Sequence, residues 1–483
     1  MIFTTPQFVL FFFLFYVVYR NLSGRPAKLF LLAASYFFYG SWNAKFLLLI
    51  IASTLLDFQV GRLLPLARDP RRRKLLLLAS ICGNLGILAF FKYFNFFAES
   101  AVGLLGALGV HLPRVVIDVL LPVGISFYTF QTMSYSIDIY RGRMSPTQSL
   151  LDFSLYVAFF PQLVAGPIER PRHLLPQLSN IPRPADRSGW ALIAMGAFKK
   201  VVIADHMAPL VAATYAAPDS VPAAALWLGT YAFAMQIYGD FSGYSDIAVG
   251  LGRLMGVDLI QNFRAPYAAL NPSDFWQRWH ISLSSWLRDY LYIPLGGNRG
   301  GWLYVQRNLM LTMLLGGLWH GARWNYVLWG AFHGLLLVAY RPRFVQALGR
   351  RMDATGILRP PLTFLRRLFF FHVTCLGWAL FRAETLADCR AAMAKLVDLR
   401  ELHLSTWLDR VELSGEGTYL GFMFAVAVLM VLWQNLRPHG THGIADHIGR
   451  MPAIAQFLFA TVLLVATVVL APESPPPFIY FQF

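Results

Sequence analysis

The chain has 483 residues, of which 57% are hydrophobic and only 14% charged. A soluble protein of this length carries about a quarter charged residues, so most of this chain belongs in lipid rather than water. The formal charge is +16, from 41 Lys+Arg against 25 Asp+Glu. The basic residues gather in short loops between apolar runs, which is the positive-inside pattern of membrane proteins, and no nucleic-acid partner is needed to explain them.

The first apolar run, 7–19, has no basic segment before it and no small-residue cleavage site after it. It reads as a retained span rather than a signal peptide. Arg20, Arg25 and Lys28 follow, then runs at 29–41 and 46–60, then Arg68-Asp-Pro-Arg71-Arg72-Arg73-Lys74. Both basic loops are assigned to the cytoplasm, which places the N-terminus outside it. Further apolar runs lie at 75–91, 115–137, 150–166, 190–212, 223–250, 308–320, 324–340, 367–381, 418–433 and 455–471. Several are shorter than the ~20 residues of a straight span, so some are re-entrant or interfacial, and about ten to twelve crossings are expected. No repeat of fixed period is visible, and no soluble domain of ordinary size fits in the polar linkers at 168–189, 265–307, 383–417 and 434–451. The expectation is an all-α polytopic membrane protein with one membrane domain over residues 1–483. Cys82, Cys375 and Cys389 are odd in number and lack Cys-x-x-Cys spacing, so they read as packing residues.

Polar constellations interrupt this apolar sequence. One runs Leu121-Pro-Val-Gly124-Ile-Ser126 to Gln131 and ends at Asp138-Ile-Tyr140-Arg141; another is Tyr238-Gly-Asp240-Phe-Ser-Gly-Tyr244-Ser-Asp246. Carboxylates at membrane depth require a partner, a cavity or protonation. Asp240 and Asp246 are compatible with a cation site and equally with ion pairs to Arg278 or Arg288 that hold helices together. In the linker 265–307, Asn271-Pro-Ser273 supplies helix-start signals, with Ser273 as the cap. Beyond it Phe275, Trp279, Leu283 and Trp286 or Leu287 form one apolar stripe, while Arg278, His280, Ser285, Arg288 and Asp289 lie largely off it. Such a helix lies in the interface plane or lines a polar cavity. Leu295-Gly-Gly-Asn-Arg-Gly-Gly301 is too glycine-rich for a helix interior and has no Gly-Lys-Ser/Thr ending, so it is a tight turn and not a phosphate loop.

The most informative stretch is Gly317-Leu-Trp319-His320-Gly321, an ionisable group in sequence otherwise fit for hydrocarbon. A neutral imidazole bonded between packed helices is the alternative reading of His320. No Gly-x-Ser-x-Gly elbow and no His-Glu-x-x-His occur, which excludes the common serine hydrolases and zinc peptidases. Two histidines, His280 and His320, with aspartates, arginines and hydroxyls suit acyl transfer from a thioester to a hydroxyl or thiol. A near-neutral imidazole takes the acceptor's proton, and a second imidazole or a backbone N–H steadies the oxyanion. A haem held between His280 and His320 is the competing idea, which a Soret band in the purified protein would reveal.

These residues resemble the membrane-bound O-acyltransferase family, and within it the bacterial branch that serves exported polysaccharides such as alginate. The matching blocks are Leu121-Pro-Val-Gly-Ile-Ser-Phe127, Phe160-Pro-Gln-Leu-Val-Ala-Gly-Pro167, Phe198-Lys-Lys-Val-Val-Ile-Ala-Asp205, Tyr238–Asp246 and Phe275-Trp-Gln-Arg-Trp-His-Ile-Ser-Leu283. Trp286-Leu-Arg-Asp-Tyr-Leu-Tyr292, Gly296-Gly-Asn-Arg-Gly300 and Gly317–Gly321 are the strongest, within a motif-bearing core of about 120–340, and the Tyr480-Phe-Gln-Phe483 ending also matches. The resemblance implies a helical bundle around a funnel, with His320 as the catalytic histidine and His280 as a second active-site histidine. Asp240, Arg288, Asp289 and Trp319 would line the substrate channel, with no bound metal or cofactor. It further implies acetyl-CoA or another acyl thioester as cytoplasmic donor, periplasmic acetyltransferase proteins as partners, and residence in the inner membrane. D-alanyl transfer to teichoic acid and a non-catalytic polysaccharide or lipid flippase are the alternatives.

Overall fold

The computed structural model describes residues 1–113, 116–118, 120–181, 186–342, 345–347, 352, 359–398, 421, 424–425, 428–429, 432 and 440–479. Most of the apolar run 418–433 and the ending Tyr480–Phe483 lie outside the described residues. The described residues are helical or irregular, without strands. Lipid offers no partner for backbone N–H and C=O groups, and helices satisfy both within one segment. The chain divides into two compact units, one of residues 1–193 and 247–260, the other of 194–246 and 261–483.

The first unit opens with α1 (Pro6–Tyr19), whose Thr5 cap accepts a hydrogen bond from the Phe8 N–H, with Pro6 in the first turn where a missing N–H costs nothing. Then come α2 (Gly24–Asn43), α3 (Leu47–Leu63), α4 (Pro70–Leu88), α5 (Phe94–Ala107) and α6 (Ile125–Tyr140). The unit continues with α7 (Leu150–Ala158), α8 (Phe160–Leu163), α9 (Pro171–Ser179) and the start of α10 (Ser188–Phe198). Helix α5 is an addition to the expected apolar runs. Its Asn95, Glu99, Gly103 and Gly106 dilute the apolar signal.

Helices α3, α4 and α6 are joined by a buried polar knot. Asp57 accepts hydrogen bonds from Ser80 at 2.5 Å, Asn84 at 2.6 Å and Ser136. Three donors offset the desolvation of a carboxyl group that has left water. On α1 the aromatics Phe8, Phe12 and Phe15 point inward, while Val9, Leu10, Phe13, Leu14, Val17 and Val18 are exposed along the other side. So large an apolar face is stable against acyl chains and not against water. Two further stretches, 24–63 and 70–107, are long and apolar enough to cross a membrane, and the helix 359–382 of the second unit is a third; α1 and the helix 453–469 are shorter apolar helices.

In the polar linker, Asp258 and Glu169 flank the His173 imidazole at 3.7 and 2.8 Å and hold its pKa up, at about 10. The folded pKa therefore exceeds the unfolded value of about 6.5. The stabilisation is fully present below about pH 6.5 and is lost as pH rises through about 10. His173→Gln should flatten the dependence of the unfolding temperature on pH in that window; since the side chain is 37% exposed, a modest effect is expected.

The second unit receives the end of α10 and contains α11 (Asp205–Tyr215) and most of α12 (Ala223–Leu254), followed by α13 (Pro272–Trp276) and α14 (Ile281–Leu287). Helices α15 (Trp302–His320), α16 (Trp324–Tyr340), α17 (Arg359–Arg382), α18 (Leu386–Val397), α19 (Gly440–Gly449) and α20 (Ala453–Val469) complete it. Only Gly321–Arg323 separates α15 from α16, so the two run antiparallel. At the foot of α16, the Asn325 amide donates to the carbonyls of Phe381 at 3.3 Å and Ala383 at 2.7 Å. Those bonds fix α17 antiparallel to α16.

Candidate active site

The expected single helix beyond residue 273 is two helices with a break. Asn271, not Ser273, is the cap, its side chain accepting from the Asp274 N–H. Pro272 then occupies the first helical position, which places the start two residues earlier than a Ser273 cap would. Helix α13 ends at Trp276, and His280 adopts a left-handed backbone with φ +44° before α14 begins. A β-carbon in that region costs about 1–2 kcal/mol, and such strain persists only where surroundings over-determine it.

Asn262 supplies that restraint. Its carbonyl accepts from Ile281 N–H at 2.9 Å, its side-chain oxygen accepts from Ser282 N–H at 3.2 Å, and its amide donates to Ser245 on α12 at 3.2 Å. The same side-chain oxygen lies 3.4 Å from His280 Nδ1. An amide oxygen only accepts, so Nδ1 carries the proton and Nε2 keeps the lone pair. Asn262→Leu removes the side-chain acceptor and leaves only the backbone carbonyl to hold the strained turn. The expected outcome is a kcat about tenfold lower with little change in KM, in line with the ~1–3 kcal/mol of an orphaned buried donor.

His320 is the last residue of α15, and its ring lies 6.4 Å from that of His280, centroid to centroid. The imidazole is 5% exposed and sits in an aromatic box of Trp319 at 5.1 Å, Trp329 at 5.0 Å and Phe381 at 5.4 Å, all edge-on. Trp319 also meets His280 at 5.9 Å, and Phe241 of α12 stands edge-on to His280 at 4.6 Å. Such a box excludes bulk water while leaving two nitrogen-bearing rings side by side. Of the sequence-selected residues, the fold thus unites His280, His320 and Trp319.

Asp240 adjoins Phe241 on α12, but its partner is neither Arg278 nor Arg288. Lys200 lies 2.8 Å from one carboxylate oxygen and 2.5 Å from Asp205, while the Ile479 N–H donates to the other Asp240 oxygen at 2.6 Å. Asp246 pairs with Lys199 at 2.5 Å and with His442 at 3.3 Å. The two carboxylates are therefore members of buried ion-pair networks rather than one cation site. The signal missed was Lys199-Lys200 within an apolar run, where two ammonium groups demand carboxylates as much as carboxylates demand them. Arg278 is occupied by Asp274 at 2.6 Å. Arg288 pairs with its neighbour Asp289 at 2.8 Å and is 63% exposed, in a π-helical turn (Arg288–Tyr292) after α14. Among the described residues, no three His, Cys, Asp or Glu side chains converge to hold a metal ion.

The second unit thus holds a buried pair of imidazoles, in a chain with three helical stretches long and apolar enough to cross a membrane among the described residues. The chain belongs to the membrane-bound O-acyltransferase family, which matches residues 140–381, and it is an O-acyltransferase of the membrane. It is 38% identical to a probable alginate O-acetylase of Azotobacter vinelandii over 100% of both chains. It is 32% identical to a peptidoglycan O-acetyltransferase of Helicobacter pylori, over 100% of this chain and 98% of that one. A teichoic acid D-alanyltransferase of Bacillus subtilis is 27% identical over 57% of this chain and 71% of its own length.

Proposed function

We propose that this protein moves acetyl groups from a cytoplasmic thioester, acetyl-CoA or another acyl carrier, across the inner membrane for O-acetylation of an exported polysaccharide. Periplasmic partner acetyltransferases receive the group and place it on the polymer. The observation that carries this reading is the His280–His320 pair, 6.4 Å apart and buried. It occurs in a chain alike over its whole length to an alginate O-acetylase and a peptidoglycan O-acetyltransferase by name.

In the reaction His320 takes the proton of the acceptor hydroxyl as its oxygen attacks the thioester carbonyl. A carbon–oxygen bond forms, the carbon–sulfur bond breaks, and the proton passes to the departing thiolate. A neutral imidazole suits such a dry place better than a lysine, since it carries no charge until it takes the proton. His280 orients the pair. With Nδ1–H directed to Asn262, its Nε2 is an acceptor, so it receives a proton more readily than it donates to an oxyanion. Asp240 acts at one remove, through the wall it builds with Lys200 and Ile479. The basic loops, Arg68–Lys74 among them, face the cytoplasm, with the N-terminus on the opposite side.

Mass spectrometry of the secreted polymer, with and without this gene, is the test. Loss of acetyl esters at unchanged polymer yield is expected. Loss of ester-linked D-alanine would make the donor an aminoacyl carrier, and loss of polymer at unchanged ester content would mean a flippase.

A further inference from the structure

Helix α17 borders a groove that the histidine pair does not use. The groove has a volume of about 320 Å³ and belongs wholly to the second unit. Met235 of α12 and Tyr267 form its floor, 2% and 3% exposed. Phe364, Leu368 and Phe371 of α17 form one wall, at the three- and four-residue spacing of a single helical face. Phe424, Val428 and Leu432, helical and four apart, form the other. Phe364, Leu368 and Leu432 are exposed at the rim. Since α17 is long and apolar enough to cross a membrane, this rim opens on acyl chains rather than on water.

Size and charge narrow the occupant. An α-helix is about 10 Å across, so a space of this volume holds less than one turn of it. A single acyl chain fits, gaining close van der Waals contact with the ring faces and branched side chains of the walls. The lining holds one arginine, Arg367, and no carboxylate. Between Arg367 and Arg382, α17 has no Asp, Glu, Lys or Arg, so Arg367 marks the level at which the apolar stretch meets lipid head groups. Its charged neighbours are Arg278 and Asp274. Both oxygens of Asp274 are engaged, Oδ1 by Arg278 at 2.6 Å and Oδ2 by the Leu270 N–H at 3.1 Å. Two guanidinium groups against one carboxylate leave the place net positive.

The imidazole in the lining does not share the arginine's task. His372 donates its Nδ1–H to the Leu368 carbonyl at 2.7 Å, so its Nε2 is an acceptor and offers a phosphate no proton. Arg367 presents paired N–H donors, the geometry that phosphate oxygens accept. A zwitterionic head group brings its own ammonium toward two arginines, whereas an anionic one does not.

We propose that this groove binds one anionic glycerophospholipid of the surrounding bilayer, with an acyl chain between α17 and the facing Phe424, Val428 and Leu432, and the phosphate on Arg367. The chain rests on Tyr267 and Phe371, whose rings meet edge-on at 5.2 Å. Tyr267 in turn lies 6.2 Å from Trp279, the residue before His280. The lipid thus packs behind the aromatic wall that carries the histidine turn and stabilises the folded unit.

The test is a competition among lipids with identical chains. Phosphatidylglycerol, phosphatidylcholine and diacylglycerol are offered in equal amounts to the purified full chain in detergent, and retained adducts are counted by native mass spectrometry. The protein should retain phosphatidylglycerol at least about fivefold over the other two. Its unfolding temperature should rise most with that lipid. Arg367→Gln should bring phosphatidylglycerol down to the level of phosphatidylcholine. Leu368→Trp, which puts an indole into the groove, should lower retention of all three. Without lipid, both variants should unfold close to the parent, which separates loss of the ligand from loss of the fold. Arg367→Met, and Phe424→Trp on the opposite wall, stand in for a variant that does not accumulate. Equal retention of phosphatidylglycerol and phosphatidylcholine overturns the charge recognition, and diacylglycerol held as well as either overturns the phosphate. Phosphatidylglycerol retention that neither substitution lowers puts the lipid elsewhere and overturns the groove. A polyprenyl phosphate that displaces phosphatidylglycerol makes the groove a carrier-lipid site and overturns the glycerophospholipid. No outcome involves His280 or His320, so the lipid site stands or falls apart from the acyl-transfer reading.

Discussion

Polymer acetylation is expected to vanish in a His320→Ala strain while the protein still accumulates in the membrane. General-base assistance is worth about 10²–10⁴-fold, and the imidazole, only 5% exposed, has little contact with solvent that could take its place. The substitution also leaves a void beside Trp319, Trp329 and Phe381, whose rings surround the imidazole. A void costs stability, so the companion variant is His320→Gln, which keeps most of the volume and loses the base. Both should be inactive, and the glutamine variant should unfold within a few degrees of the parent in detergent. Ester content that stays at the parental level in either strain removes His320 from the chemistry. His280→Gln tests the partner role: a smaller loss is expected, because His280 reaches the reaction through its neighbour. Equal losses at the two positions would mean that the rings act as one unit.

Much of this arrangement is legible in the sequence, and the boundary of what is legible has a physical form. Apolar runs found the helices because lipid makes hydrophobicity the dominant local signal: 324–340 coincides with α16 and 7–19 nearly with α1. His320 and Trp319 stood out for the same reason, as polar or nitrogen-bearing groups in a run fit for hydrocarbon. Partners across the fold did not. Asp240 finds Lys200 40 positions away in the sequence, a pairing that no spacing rule encodes, and arginines nearer to the histidine motif were the natural guess. The sequence puts His280 on a continuous helix because Phe275, Trp279 and Leu283 keep helical spacing. That spacing survives the break, for only residues 277–280 leave the helix, the last of them left-handed, before α14 begins at Ile281. Asn262, which imposes the break, lies between the apolar run 223–250 and the polar linker 265–307, with nothing in its neighbours to distinguish it.

The hairpin that carries His320 makes the strongest stability-linked expectation, at Gly317. Helices α15 and α16 meet where both lack side chains. A β-carbon on Gly317 would run into the Tyr326 carbonyl oxygen and lie 3.1 Å from the Gly330 α-carbon, and one on Gly330 would strike the Met313 carbonyl oxygen. Membrane helices use such small residues to bring backbones together, since without a hydrophobic drive between them close packing supplies the attraction. Backbone does not step aside as a flexible side chain does, so Gly317→Ala must push the helices apart. Overpacking of this kind costs about 1–3 kcal/mol. The effect on activity should be larger than the effect on stability. Trp329, which holds the His320 ring at 5.0 Å, rides on the helix that moves, and a displacement of about 1 Å in a catalytic group is worth up to 10²-fold. Gly316→Ala is the matched control. Its β-carbon meets only the Leu287 Cδ1 at 3.1 Å, the far end of a side chain that rotates away. In purified protein with a thioester donor, Gly317→Ala should lose at least tenfold in kcat and several degrees in unfolding temperature, while Gly316→Ala stays within twofold of the parent. If the two alanine variants are equally active, the close approach of α15 to α16 does not position the imidazole, and the box around His320 must be held by Phe381 and Trp319 instead.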